Sequence, residues 1–205
     1  MKRLRTLHLL GCELVDDDLR HLKNHPELED LGLGGVPVTD AGLVHVTQLV
    51  SLSRLNLNGT LITDDGLEKL RPLQRLRSLA IGDTQATDDG LARLDQFPQL
   101  DVLILGGARF SDAGAIHIAD LRQLTNLRMA DTLLTDEGAA RLAGLTRLIL
   151  LDLRGTQVSD AALNSFKGMT DLQVIELQGT NVTQEGFSAF CDSVPSPRRF
   201  WGSGP

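Results

Sequence analysis

A leucine recurs at every twenty-fourth position along this chain of 205 residues, and that period limits its fold more than any other feature. Six further columns of the 24-residue repeat are apolar as well, and only His25 and Ser193 depart from the pattern. A period of this length, kept without insertion or deletion, indicates an array in which each repeat packs on its neighbours. The eight repeats begin at Leu4, Leu28, Leu52, Leu76, Leu100, Leu124, Leu148 and Leu172.

Each repeat changes structural type twice, as the third one shows in the stretch LNLNGTLITDDGLEKL at 55–70. Leu55 and Leu57 alternate with polar residues, which is typical of a short strand with one buried face. Gly59 then supplies the backbone freedom that a turn needs. Thr63 is placed to cap a helix, and the two aspartates after it suit the positive end of the helix dipole. The repeat therefore predicts a strand, a turn, a capped helix and a return.

The repeat reads LxxLxLxGTx(V/I)(S/T)DxGLxxLxxL and resembles the leucine-rich repeat. It is most similar to the 24-residue bacterial variety, which is related to the ribonuclease-inhibitor and F-box-associated types. The resemblance implies an α/β fold, a right-handed horseshoe-shaped solenoid with a parallel sheet on its concave face and short helices on its convex face. It also implies one domain over residues 1–194, followed at 195–205 by a tail that is either a cap or disordered. Members of this family commonly bind proteins, and they do not share a catalysed reaction.

Composition predicts a soluble, cytoplasmic protein that binds neither membranes nor nucleic acid. Mean hydropathy is −0.04, the formal net charge is −7, and no apolar run approaches the length of a membrane span. The leucines near the N-terminus fit the first repeat better than a signal peptide. Cys12 and Cys191 belong to the first and eighth repeats, too far apart for a disulfide, which suits a reducing compartment.

Two columns of titratable residues recur at the predicted helices. An aspartate at the helix start, as at Asp64, is predicted to complement the helix dipole rather than to bind metal. His21, His45 and His117 share another column with lysine and arginine, which predicts acid–base pairs four residues apart. The alternative is that these three histidines form a metal-binding or catalytic cluster. Because the chain contains no GxSxG, GxxxxGK(S/T), HExxH or CxxC motif, it predicts no enzyme, no catalytic residue, no metal and no cofactor.

The outward strand positions vary from repeat to repeat, whereas the core columns do not. A varied surface fits a varied partner, so the sequence predicts a concave face that binds another protein or a peptide. Tyrosine is absent and aromatic residues total 3%, which predicts modest affinity or reliance on arginine. The candidate binding residues are Arg54, Asn56, Asn58, Val102, Ile104, Arg128, Leu150, Asp152, Arg154, Val174 and Glu176.

Several alternatives stay open at the level of sequence. Arg128 with Asp152, and Arg154 with Glu176, could merely pair across neighbouring strands. Besides a protein-binding module, the chain could be the adaptor or substrate-recognition part of a larger signalling, effector or ubiquitin-ligase-like protein, or a structural spacer. A monomer is expected, and an unpaired edge strand makes an end-to-end dimer the alternative.

Overall fold

The structure is a computed structural model that describes residues 4–107 and 109–194, and the backbone of 199–201. These residues fall into two compact units, unit 1 ending at Ile104 and unit 2 beginning at Leu105. Each unit is a stack of coils, and each coil contributes one short strand and one or two short helical turns. The single domain over 1–194 stays a prediction, and the tail residues 195–198 and 202–205 lie outside the described part of the chain.

The described residues of unit 1 form five strands that pair in parallel, each shifted by one repeat from the last, so that Leu31 pairs with Leu55 and Leu55 with Leu79. The strands are β1 (Thr6–His8), β2 (Asp30–Gly32), β3 (Arg54–Asn56), β4 (Ser78–Ala80) and β5 (Val102–Ile104). The α-helices are α1 (Leu43–Val46), α2 (Asp64–Lys69) and α3 (Asp88–Leu91), and 3-10 helices cover Asp16–Asn24 and Ala92–Gln96.

Unit 2 repeats this plan, and Leu127 of one coil pairs with Leu151 of the next. Its strands, also parallel, are β6 (Asn126–Arg128), β7 (Leu150–Asp152), β8 (Val174–Glu176) and β9 (Arg199–Trp201), the last pairing with β8. Its α-helices are α4 (Asp112–Ile118), α5 (Asp136–Arg141), α6 (Asp160–Ser165) and α7 (Gln184–Ser193), and 3-10 helices cover Leu142–Gly144 and Phe166–Gly168.

The apolar columns of the repeat form the core of each unit. Leu31, Leu55 and Leu79 are at most 2% exposed in unit 1, and Leu127 and Leu151 are fully buried in unit 2. A three-residue strand with one buried residue cannot hold its shape alone, but stacking on the next coil removes that residue from water on both sides. The predicted leucine interior is therefore confirmed within each unit.

The turn after each strand requires a left-handed backbone. Gly59 has φ +67°, and a threonine follows whose hydroxyl is buried: Oγ1 of Thr60 donates to the carbonyl of Leu57 at 2.6 Å. The predicted glycine turn is confirmed, with two departures, because Asp83 (φ 53°) and Asp131 (φ 58°) adopt the same conformation with a side chain.

Aspartates at the helix starts join each coil to the next. Asp40 accepts hydrogen bonds from the backbone N–H of Thr63 at 2.9 Å and from its hydroxyl at 2.6 Å. The helix-dipole interpretation of this column stays a prediction, and the half-buried carboxylate has a second role, since it satisfies two donors of the following coil. The same two bonds join Asp16 to Thr39, Asp64 to Thr87, Asp112 to Thr135, Asp136 to Ser159 and Asp160 to Thr183.

This joint explains the glycine of the TDxG motif. A Cβ added at Gly66 would collide with Oδ1 of Asp40, so glycine leaves the space that the carboxylate occupies. The seventh repeat has Ala162 at this position, and its N–H donates to Oδ1 of Asp136 at 3.2 Å. The same collision would occur at Gly42, Gly90, Gly138 and Gly186.

The charged residues on the helices pair differently from the sequence prediction. Lys69 donates to the carbonyl of Asp40 at 3.1 Å, and Arg93 lies 3.2 Å from Glu68, so each reaches the preceding coil rather than a residue four positions back. Glu137 and Arg141, four residues apart in α5, do form the predicted kind of pair within one helix, at 3.0 Å. Over 4–107 and 109–194, no three His, Cys, Asp or Glu residues are grouped to hold a metal ion. No described helix has the length and apolarity that a membrane span requires.

Candidate functional site

The open face of the sheet in unit 2 carries six of the predicted site residues. Leu150 and Val174 are neighbours across β7 and β8, both half-buried, and Arg128 stands on β6 in register with Asp152. Alternation along each strand sends the core leucine inward and these residues outward. We call Arg128, Leu150, Arg154 and Val174 the arginine surface.

Arg154, just beyond β7, is held in place by two carboxylates. Its Nε and Nη2 donate to the two carboxylate oxygens of Asp152 at 2.9 and 2.7 Å, and Nε lies 2.9 Å from Oε2 of Glu176. The hydrogen bond to Asp152 raises the pKa of the Arg154 guanidinium further above its ordinary value. A bidentate pair fixes the plane of a guanidinium, so Arg154 offers a preset cation that is still 45% exposed.

Two sequence predictions about this cluster are corrected. Asp152 is 1% exposed, so it cannot contact a partner and acts instead as the support of Arg154. The predicted pair between Arg128 and Asp152 does not form, because the carboxylate is already taken by Arg154. The predicted pair between Arg154 and Glu176 is confirmed.

Arg128 is the unpaired cation of the arginine surface. It is half-buried, and within the described residues its side chain makes no ion pair and no hydrogen bond. One arginine of this surface is therefore held rigidly and the other is available to a carboxylate from outside, with two half-buried aliphatic side chains in the same face.

The open face of unit 1 carries Arg54, Asn56, Asn58, Val102 and Ile104. Of these, Arg54 is engaged most strongly, its Nε donating to Oδ2 of Asp30 at 2.8 Å, while the ring of His8 lies 3.1 Å from the other oxygen. Burial of Asp30 works against its charge, but the hydrogen bonds from Arg54 and His8 outweigh that effect and lower the pKa of Asp30. Val102 and Ile104 are half-buried on β5.

The side-chain oxygens of the two asparagines of unit 1 accept hydrogen bonds from backbone N–H groups. Oδ1 of Asn56 accepts the N–H of Asn58 at 2.9 Å, and Oδ1 of Asn58 accepts the N–H of Gly82 in the next coil at 2.7 Å. Their Nδ2 groups donate to nothing among the described residues. The oxygens are thus structural, and the amide donors are what this face offers to a ligand.

Sequence reasoning passed over Asp30 and His8, which belong to the same cluster. A signal was present, since Asp30 and Arg54 stand at the same position of consecutive repeats. In a solenoid with parallel strands, residues one repeat apart are neighbours, so an acid and a base in one column predict an ion pair. The pairs between Arg5 and Glu29 (2.8 Å) and between Arg77 and Asp101 (3.4 Å) obey the same rule.

A 24-residue repeat, a parallel strand from every coil, short helices between strands and buried leucine columns together define the leucine-rich-repeat fold, an α/β solenoid. The chain has this fold, as its repeat predicted. No protein-family model and no curated protein sequence matches the chain.

Solved structures do match it, among them the crystal structure of an internalin C2 from Listeria monocytogenes, a leucine-rich-repeat protein. That likeness covers 88% of this chain and 74% of the internalin chain, with 21% sequence identity and a TM-score of 0.65. At this identity the likeness shows the fold alone.

Proposed function

We propose that the chain is a protein-interaction module whose arginine surface binds an acidic and apolar epitope of a partner protein. The observation that carries the proposal is the clamp of Asp152 and Glu176 on Arg154. A side chain that is already ordered loses little conformational entropy when it binds, and arginine is enriched among residues that dominate binding energy.

The chemistry of the surface specifies the partner. Leu150 and Val174 supply an apolar centre, and Arg128 and Arg154 supply positive charge at its side, on a chain whose net charge is −7. Because Asp152 and Glu176 offset the charge of Arg154, Arg128 is the cation that attracts an acidic side chain of the partner to this face. Because the chain has no tyrosine and few aromatic residues, we expect modest affinity. The affinity should weaken with added salt, because salt screens the ionic contacts of the arginines.

The open face of unit 1 is proposed as a second contact for a protein or peptide. Arg54, with its amide neighbours Asn56 and Asn58, offers donors, and Val102 and Ile104 offer apolar area. The adaptor and the spacer remain alternative predictions, and so do the cytoplasmic location, the monomer and the end-to-end dimer.

The proposal is tested by capture of partners from a lysate of the source organism, with the wild-type chain and three variants as bait. Arg128→Ala removes a side chain that makes no described ion pair, so its effect reports on binding and not on folding. The double variant Arg128→Ala/Arg154→Ala removes both cations. The control Arg122→Ala/Arg147→Ala changes the net charge equally, at exposed positions in the turns before β6 and β7.

We expect the wild type and the control to retain the same proteins, and the two surface variants to lose them. The retained proteins should then bind the purified chain with an affinity that falls when sodium chloride is raised. If all four baits retain the same proteins, the arginine surface is not the binding site and the spacer prediction gains support.

A further inference from the structure

A polar hollow of about 600 Å³ opens on unit 1 at the turns that lead into its strands. Ser51 and Ser53 lie at its centre, just before β3. The hollow exists because these two side chains are short, whereas the same positions of the neighbouring repeats carry long ones. Those neighbours are Glu27 and Glu29 before β2, and Arg75 and Arg77 before β4. We call this site the serine hollow.

Glu27 and Glu29 lie on one side of the serine hollow together with Arg5, and Arg75 and Arg77 lie on the other. One charge of each sign is already paired, Glu29 with Arg5 at 2.8 Å and Arg77 with Asp101 at 3.4 Å. Glu27 and Arg75 form no ion pair within the described part of the chain. They belong to repeats on either side of the serines, so their backbones are separated by two strand spacings, about 10 Å.

An open hollow of this polarity differs from the sites that hold small molecules, which are mostly apolar and enclose their ligands. It fits side chains that arrive on another protein. From the unpaired Glu27 and Arg75 on opposite sides of Ser51 and Ser53, we infer that the serine hollow binds an extended segment of a partner protein that carries one basic and one acidic side chain. The basic side chain pairs with Glu27 and the acidic one with Arg75.

The geometry sets the spacing of that segment. In an extended chain, residues i and i+2 point to the same side and lie about 7 Å apart, which long side chains can extend to meet Glu27 and Arg75. Ser51 offers a hydroxyl to the peptide group between them, and its own small size admits the backbone of the segment. The pattern recognised is therefore a base, any small residue and an acid. This site is separate from the arginine surface, and neither depends on the other.

The test uses the full chain labelled with nitrogen-15 and three capped tripeptides as probes: Lys-Gly-Glu, Lys-Gly-Lys and Glu-Gly-Glu. Chemical shifts of the Ser51, Ser53 and Arg75 amides are followed during titration at low salt. We expect amide shifts that grow with the concentration of Lys-Gly-Glu and are about fivefold smaller for each like-charged probe, as expected when one exposed ion pair is lost. Sodium chloride at about 1 M should abolish the difference between probes, because the Debye length is then only about 3 Å and exposed charges are screened from each other.

Charge reversal makes the test independent of any natural partner. Arg75→Glu makes both sides of the hollow acidic, so the variant should lose Lys-Gly-Glu and gain Lys-Gly-Lys. Arg71→Glu makes the same change of charge at an exposed position outside the hollow and should keep the wild-type preference. The inference is overturned if no probe shifts these amides, if the three probes shift them equally, or if Arg75→Glu keeps the wild-type preference while circular dichroism shows it folded.

Discussion

Asp64 accepts two hydrogen bonds from Thr87 of the following coil, at 2.7 Å from the backbone N–H and at 2.8 Å from the hydroxyl. The two residues lie 23 positions apart, so the pair exists only when two coils are stacked. The same contact recurs at the other joints described above. An aspartate that suits a helix start therefore also links its coil to the next one.

The first prediction separates these two roles of the aspartate. Asp64 and Asp65 both stand in the first turn of α2, but only Asp64 bonds Thr87. Asp64→Ala should lower the free energy of unfolding by about 2 kcal/mol, because the half-buried donors of Thr87 lose their acceptor. Asp65→Ala should cost only about 0.5 kcal/mol, the value of an exposed charge at a helix start. Urea unfolding measures both, and equal losses would favour the dipole role alone.

The second prediction concerns Gly66. Replacing a helical glycine by alanine ordinarily stabilises a protein by about 0.5–1 kcal/mol. Here the added Cβ would collide with the carboxylate of Asp40, so Gly66→Ala should instead destabilise by about 1–3 kcal/mol, as overpacking does. Gly144→Ala is the matched control, since a Cβ there meets nothing within 4 Å and should leave stability equal or higher. The thermal unfolding temperature should fall for Gly66→Ala and stay equal or rise for Gly144→Ala, and a stabilised Gly66→Ala would contradict the tight joint.

The third prediction tests the left-handed turn. Asp83 adopts φ 53°, where a side chain is strained, and the equivalent turn of the preceding repeat uses Gly59 at φ +67°. Asp83→Gly should raise the free energy of unfolding by up to about 1 kcal/mol, and Gly59→Ala should lower it by about 1–2 kcal/mol. Denaturant midpoints report both values. A destabilised Asp83→Gly would mean that the aspartate side chain contributes more than its backbone strain costs.

The fourth prediction follows from the lowered pKa of Asp30. Because the folded state holds this pKa below the usual value of 3.8, the carboxylate stabilises the fold above about pH 4, and that contribution is lost as the pH falls through the folded pKa. Nuclear magnetic resonance titration of the Asp30 carboxyl carbon should give a midpoint below 3.8 in the wild type. The midpoint should move upward in Arg54→Gln, which removes the first of the two hydrogen bonds that lower it. An unchanged midpoint in that variant would show that Arg54 does not set the pKa.

The fifth prediction compares the two cations of the arginine surface. Arg154→Ala leaves the carboxylate of Asp152 buried without its cation, so we expect the free energy of unfolding to fall by about 3 kcal/mol. Arg128→Ala should change it by less than about 0.5 kcal/mol, because no described ion pair is lost. Chemical denaturation of both variants measures the contrast. Similar losses in the two variants would refute the clamp on Arg154.

The coil itself was predictable because its signals are local. Alternation around Leu55, the glycine at 59 and the helix start after Thr63 each depend on a few consecutive residues, and the strand, turn and helix appear where those residues indicate. The predicted cap itself is wrong, because the hydroxyl of Thr63 does not bond the helix and donates to Asp40 of the preceding coil. The strand register was equally predictable, since a constant period places residues of equal position side by side, as Leu31 beside Leu55.

The candidate site was only partly predictable from the same pattern. Alternation correctly sent Leu150 and Val174 to the open face, but it also placed Asp152 there, which the structure buries under Arg154. Periodicity predicts the face of the sheet that a residue occupies. It does not predict which of several nearby charged side chains the residue pairs with. That choice depends on the reach of each side chain and on the competition between partners, here Arg128 and Arg154 for one carboxylate.

The sequence by itself determined a stack of leucine-filled coils, because repeated hydrophobic burial and backbone preference act within a single repeat. Only the tertiary structure decided how the coils are joined and which charges remain available. Stacking of the coils and the reach of each side chain decide which atoms come within hydrogen-bonding distance. They set the pairs of Asp64 with Thr87, Asp30 with Arg54 and Asp152 with Arg154, and the sequence pattern alone does not specify these distances.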